Sequence, residues 1–259
     1  MGRVKKTEHT GSEQRIQEYY RNHPWMVSSP FGGIDGIHSA MLEQVFKRFQ
    51  INVERCAILD VGCGRGYLRD TVRVQGGDYT GADLVVSRSG LRMTVASAEA
   101  LPFASGHFDG LFCLDAFEHF PHPERAISEF RRVLRPGGFA LISVPHYGNV
   151  AGLVKWFYET IGWSARDTWA PFGRWQAQEL ERFTTAGGVS RQFRRGGFTP
   201  AGRMAHRAEA GLGLFPWIDH PRMPEALRYQ AQRFFAALGP AIIALWPGAS
   251  LHAFMKFTR

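Results

Sequence analysis

The segment Leu59-Asp60-Val61-Gly62-Cys63-Gly64-Arg65-Gly66 constrains the fold more than any other part of this chain. A short apolar run, Cys56–Val61, feeds into glycines at every second position, and a helical pattern begins at Tyr67. Such a run, bounded by a glycine turn, reads as a buried strand. Glycines are needed where backbone turns tightly and lets a ligand approach closely. The start of a helix beyond the turn offers N–H groups to an anion. A dinucleotide site would want its third glycine one residue later, where this chain has Tyr67. The spacing therefore points to a smaller anion, such as a carboxylate.

Further strands and helices alternate after the turn. Asp78–Asp83, Met93–Ala96, Phe108–Leu114 and Phe139–Val144 read as strands, and His122–Leu134 as a helix broken by Pro136-Gly137-Gly138. Before the turn, a helix is expected from Arg15 to Tyr20, stopped by Pro24. Apolar positions 41, 42, 45, 46 and 49 predict another over His38–Gln50, with a loop at Phe31-Gly32-Gly33 between them. Alternation of this kind builds a mostly parallel sheet with helices on both faces. Ligands of such sheets bind beyond the carboxyl ends of the strands. Asp83 ends the second strand there and is placed to accept both hydroxyls of a ribose. Beyond residue 145 the pattern loosens. A helix is expected over Gln176–Ala186, a strand over Val189–Arg195, irregular chain over Gly196–Pro221, a helix over Pro224–Leu238 and a last strand over Leu251–Phe257.

Four segments together carry a resemblance: ILDVGCGRG (58–66), YTGADL (79–84), SAEALPFASGHFDGLFCLDAFEHF (97–120) and EFRRVLRPGGFALISVP (129–145). Over roughly residues 55–145 the chain is similar to the class I S-adenosylmethionine-dependent methyltransferases, near the broad group containing the ubiquinone-biosynthesis type. The resemblance implies an α/β fold: a Rossmann-like, seven-stranded, mostly parallel sheet with helices on both faces. It implies S-adenosyl-L-methionine as cofactor. Asp60, Gly62, Gly64 and Gly66 would surround its methionyl end, with Cys63 inside the turn as filler rather than nucleophile. Asp83 would hold the ribose, Leu84 would line the adenine, and Ala98 and Glu99 would lie at the adenine edge. Leu114 and Asp115 would face the methionine and its methyl. Two departures stand out. Ser97 replaces the Asp usual in this family, and Val85–Leu91 is too short for the usual helix.

Residues 1–50 are expected to form an N-terminal helical segment, 51–146 the cofactor core, and 147–259 the remaining strands with a helical, aromatic cap (147–175 and 197–247) over the substrate. Four Trp fall within 156–175, which suggests a lid. Sulfonium methyl transfer needs alignment and dryness more than chemistry from the protein, and a base only where the nucleophile carries a proton of high pKa. The candidate bases are His119 and His146, each after a strand, with Tyr147 and Tyr20 behind them.

Charge separates the remaining readings. The net charge is +8. Residues 1–150 carry 17 Lys/Arg and 16 Asp/Glu, whereas residues 151–259 carry 14 and 7. The main expectation is an enzyme methylating a small, hydrophobic or lipid-like acceptor, with peripheral membrane contact through 212–247 as one use of the basic half. One alternative is an RNA methyltransferase gripping phosphates with the acid-free, Arg-rich 182–207 segment and its interleaved Phe183, Phe193 and Phe198. Another is a cofactor-binding partner subunit without turnover. Three cysteines without a C-x-x-C pair point away from a disulfide scaffold or metal site and towards a reducing cytosol. A polar start without a signal-like run agrees with that expectation.

Overall fold

The structure is a computed structural model that describes residues 5–22, 35–85, 92–169, 171, 179–205, 210–218, 220 and 222–259. Seven strands form one sheet in the order β3-β2-β1-β4-β5-β7-β6. They are β1 (Ala57–Val61), β2 (Asp78–Asp83), β3 (Met93–Val95), β4 (Phe108–Leu114), β5 (Leu134–Pro145), β6 (Thr199–Ala205) and β7 (His252–Thr258). The four pairings among β1 to β5 are parallel, with Asp60 opposite Gly81 across β1 and β2. Strands covered on both faces read as continuous apolar runs. β1 and β4 do so: Ile58, Leu59, Phe108, Leu111, Phe112 and Cys113 are all buried.

The helices follow from periodicity. α1 (Lys5–Asn22) is longer than the Arg15–Tyr20 piece expected, and Pro24 and the Phe31-Gly32-Gly33 loop lie outside the described residues. α2 (Asp35–Phe49) buries its expected stripe, Met41, Leu42, Val45, Phe46 and Phe49, and Phe46 stacks on Phe112. α3 (Leu68–Val74) follows the glycine turn, and α4 (Pro123–Val133) buries Ala126, Ile127, Phe130 and Val133. α5 (Val150–Thr160) follows β5, with Asn149 capping it through a bond accepted from the Gly152 N–H.

Three expectations for the later half fail. Val189–Arg195 is not a strand but most of α6 (Ala186–Arg195). Val189 and Phe193, four apart, are buried, and Phe193 stacks on Phe257 at 4.3 Å, while Arg191, Arg194 and Arg195 face solvent. The helix expected to end at Gly187-Gly188 instead begins there. Thr185 Oγ1 accepts from the Gly188 N–H at 3.1 Å, a capping bond, and residues 179–185 are not helical. The segment 196–221 holds β6 and a short α7 (Phe215–Ile218) rather than being irregular throughout, with 206–209, 219 and 221 outside the described residues. The last helix, α8, runs from Glu225 to Leu245, past the expected end at Leu238 and through Pro240.

The chain divides into two compact units: Met1–Ser143 with Ser190–Gly202 and Met255–Arg259, and Val144–Val189 with Arg203–Phe254. The first holds the glycine turn and most of the sheet; the second holds α5, α7 and α8. Among the described residues no helix is long and apolar enough to cross a membrane.

Candidate functional site

In the first unit, β1 ends at Val61 and the chain turns through Gly62, Gly64 and Gly66, whose φ angles are +74°, +52° and +74°. L-residues avoid that region, so a side chain at any of the three would be strained. At Gly62 a β-carbon would also collide with the Ala116 methyl. The turn is clasped from the side by Asp83. One carboxylate oxygen accepts the Gly64 N–H at 2.8 Å and the other accepts the Val85 N–H at 3.0 Å. The acid expected at the ribose therefore also holds the glycine turn. α3 has only seven residues and contributes little dipole, so the turn rather than a long helix sets the polarity here.

Beneath the turn lies a buried polar cluster that sequence reasoning missed. Asp60 is 4% exposed, and the Tyr79 hydroxyl donates to it at 2.8 Å. Burial pushes the Asp60 carboxyl up to about 7; the Tyr79 bond opposes the rise and the nearby Asp83 charge adds to it. Burial raises Asp83 as well, against the pull of its backbone N–H partners. Burial first, and then both carboxylates, hold the Cys63 thiol far above its ordinary range, so it is a filler and no nucleophile. Gly81 completes the cluster. A β-carbon there would sit 2.8 Å from Cys63 Sγ and 3.1 Å from the Tyr79 hydroxyl. Alternation along β2 puts Tyr79 on the same face as Gly81, but only the register that sets Gly81 opposite Asp60 shows what that face meets.

The carboxyl ends of the neighbouring strands carry the other expected residues. Leu84, whose carbonyl accepts from Gln17 Nε2 of α1 at 2.8 Å, follows β2. Ala98 and Leu114 are buried. Asp115 sits at φ +48°, a strained conformation for a non-glycine, and Ser143 fixes it: the Ser143 hydroxyl donates to Asp115 Oδ1 at 2.6 Å. Glu99 is occupied structurally, accepting the His122 N–H at the start of α4 at 2.7 Å. The Ser97 oxygen accepts the Glu99 N–H at 3.1 Å, so at this departure from the family pattern the residue makes a local turn. Residues 86–91, most of the shortened connection, lie outside the described residues. His119 ends a short 3₁₀ turn, Phe117–His119, and packs edge-on against Tyr20 at 6.1 Å.

His146 belongs to the second unit. Its Nδ1 accepts the Gly148 N–H at 3.1 Å, and burial lowers its pKa. Burial thus favours its neutral form, with Nδ1 as the accepting nitrogen. Beside it a pocket of about 500 Å³ opens among Tyr147, Leu153, Trp156, Phe183 and Trp246. The Tyr147 hydroxyl donates to buried Glu181 at 2.6 Å, and buried Lys155 pairs with Glu159 at 2.6 Å. The pocket wall is therefore aromatic, with its polar groups satisfied behind it. The RNA reading loses two of its three aromatics: Phe193 and Phe198 are core residues on which no base can stack, while Phe183 is exposed.

Residues 59–142 match the family model described as a methyltransferase domain. A ubiquinone biosynthesis O-methyltransferase of Dechloromonas aromatica is 29% identical over 135 residues, covering 46% of this chain and 56% of that protein. One from Hydrogenovibrio crunogenus is 31% identical over 136 residues, covering 46% and 54%. The chain thus spans about half the length of the curated relatives it matches. Among solved structures, an S-adenosylmethionine-dependent methyltransferase from Mesorhizobium loti superposes with a TM-score of 0.54 at 17% identity, covering 83% of this chain and 96% of that one. The chain thus carries a methyltransferase domain over residues 59–142, and its seven-stranded sheet has the fold of S-adenosylmethionine-dependent methyltransferases. The methyltransferase match runs from Leu59 within β1 to Ile142 within β5, and so includes every candidate cofactor residue from Asp60 to Asp115. His146, Tyr147 and the aromatic pocket fall outside it.

Proposed function

We propose that this protein transfers a methyl group from S-adenosylmethionine to a small, apolar, lipid-like acceptor. The observation that carries the reading is the glycine turn clasped by Asp83 above a buried, protonatable Asp60. A ligand with a cationic amino-acid end and a ribose fits those groups. When bound, the cofactor supplies a methyl already activated on a sulfonium. Asp60 receives the positive end, Asp83 the ribose hydroxyls, and the turn glycines keep the approach clear. Leu84, Ala98 and Glu99 border the adenine, while Leu114 and Asp115 face the methionyl portion.

The acceptor binds in the aromatic pocket of the second unit, which is within the usual size range for small-molecule sites. Where the acceptor nucleophile carries a proton, His119, just beyond the methyl-facing Leu114 and Asp115, is the candidate base. His146 is less suited, because its accepting nitrogen is already bonded to backbone. The products are the methylated acceptor, S-adenosylhomocysteine and a proton. The test is to incubate the protein with S-adenosylmethionine and organic-extractable metabolites, following S-adenosylhomocysteine and a mass gain of one methylene in an extracted compound. Cofactor binding by calorimetry without any turnover across that fraction would overturn the acceptor class. Absence of binding would overturn the reading as a whole.

A further inference from the structure

α8 is divided along its axis rather than around it. Its first turns hold Glu225, Arg228, Gln230, Gln232 and Arg233, and from Phe234 to Trp246 there is no charged residue. Within that apolar half only Phe235 and Gly239 are buried; Phe234, Leu238 and Trp246 are exposed, and Leu245 is 88% exposed. A helix packed on a globular core buries a stripe and shows a polar opposite face. This one shows apolar side chains on most of its circumference. α5 adds exposed Leu153, Trp156 and Phe157, and Trp163 just beyond it is 70% exposed. Trp246 and Trp156 line the same pocket, so the two patches meet at its mouth.

We infer that this face of the second unit docks into the surface of an anionic lipid bilayer. An apolar helix end exposed on most sides suits a medium that surrounds it better than a rigid partner that covers one side. The half-helix from Phe234 to Leu245 is roughly 18 Å long at 1.5 Å per residue, enough to enter the interfacial layer and too short to span it. Arg222, Arg228 and Arg233 against a single Glu225 place positive charge at its polar end, matching anionic headgroups. Tryptophan favours the boundary between lipid and water; Trp156 and Trp246 line the pocket mouth, and exposed Trp163 packs beside Phe157 at 6.3 Å. The inference extends the acceptor reading, since an apolar acceptor would reach the pocket from the bilayer, but its test involves no methyl transfer.

The test is flotation of the full chain with phosphatidylcholine vesicles, with and without phosphatidylglycerol, at low and physiological salt. The expected result is at least tenfold stronger partition onto the anionic vesicles, weakened by salt and accompanied by a blue shift of tryptophan emission. The double variant L238E/L245E should lose at least tenfold in partition while binding S-adenosylmethionine with unchanged Kd, which certifies its fold. R222E/R233E should lose only the preference for anionic vesicles. Absence of wild-type partition overturns the inference, as does equal partition of L238E/L245E. A dimer in solution that L238E/L245E dissociates, without vesicle binding, assigns the face to a second copy instead. Failure of the acceptor screen with vesicle binding intact leaves the docking surface standing and removes only the acceptor reading.

Discussion

Tyr79→Phe should turn cofactor binding into a pH-dependent weakness. The variant deletes one hydroxyl from a buried strand and leaves the ring in place. Its loss removes the bond at 2.8 Å that steadies the Asp60 carboxylate. Hydrogen bonds to charged groups contribute roughly 1.5–3 kcal/mol, which is about one to two pK units at 1.36 kcal/mol each. Asp60 stands at about 7 in the wild type, held up by burial and by Asp83. Besides Tyr79, the ionisable groups coupled to it are Asp83, Cys63 and Cys113, and none is a cation. In the variant it rises to about 8–9, by adding one to two units.

A cationic methionyl end binds the ionised carboxylate, so affinity increases as pH rises through the Asp60 pKa. At pH 7 the wild type is about half ionised and the variant roughly 1–10% ionised, which predicts a Kd for S-adenosylmethionine weaker by roughly 5- to 50-fold. By about pH 9 the gap should close to about twofold or less. Calorimetry from pH 6 to 9 reads this directly. The ligand's own amino group titrates alike against both proteins, so the ratio isolates Asp60. A gap that stays constant across the range would refute the reasoning, because it would mean that Tyr79 supports the site by packing alone.

Asp83→Ala should weaken S-adenosylmethionine by about one to two decades, from the loss of a charge-assisted acceptor of roughly 1.5–3 kcal/mol. Asp83→Asn should recover part of that in calorimetry, since an amide oxygen can still accept the Gly64 N–H. Gly64→Val should abolish binding in a folded protein, because φ +52° is strained for a β-branched residue; circular dichroism beside the titration checks the fold. Asp60→Asn should flatten the pH dependence of thermal stability. A carboxyl raised from 3.8 to about 7 stabilises the fold below about pH 4 and loses that contribution as pH rises through 7. Its ceiling is about 4 kcal/mol by the 1.36 kcal/mol rule, so the wild-type Tm without cofactor should fall more steeply between about pH 4 and 7 than that of the variant, which keeps only the raised Asp83.

The cofactor half was readable because its signals are local. Glycines two apart after an apolar run, and an acid at the end of the next strand, fix the turn and its clasp without knowledge of distant packing. Tyr79 was not readable in the same way, since its meaning depends on the register that sets Asp60 opposite Gly81. In the later half, local rules misled. Gly187-Gly188 reads as a stop, yet Thr185 ahead of it supplies a cap, and Val189 and Phe193 then recur at the helical spacing of four. Pro240 reads as a break, yet α8 continues through it. A proline removes its own N–H bond and crowds the carbonyl four residues back, which kinks a helix as well as breaking one, and here the helical pattern is carried on by Ala241 to Leu245.

Asp60 and Asp83 connect the stability of this fold to its ligand. Both carboxyls are raised by burial, and the Asp83 charge makes that of Asp60 harder still to form. Near neutral pH the unliganded corner must therefore bear a buried charge or keep a proton on one carboxyl. The Asp83 carboxylate that holds the Gly64 N–H is thus the charge that a second ionised acid, Asp60, must tolerate beside it. A cation entering beside Asp60 removes the conflict. It lowers the pKa of the carboxyl, as an opposite charge within a few ångströms does, and lets both acids ionise together. Ligand binding then tightens the turn that receives it, and stabilisation by S-adenosylmethionine should exceed that by S-adenosylhomocysteine, which lacks the sulfonium charge, when the two are compared at equal free concentration.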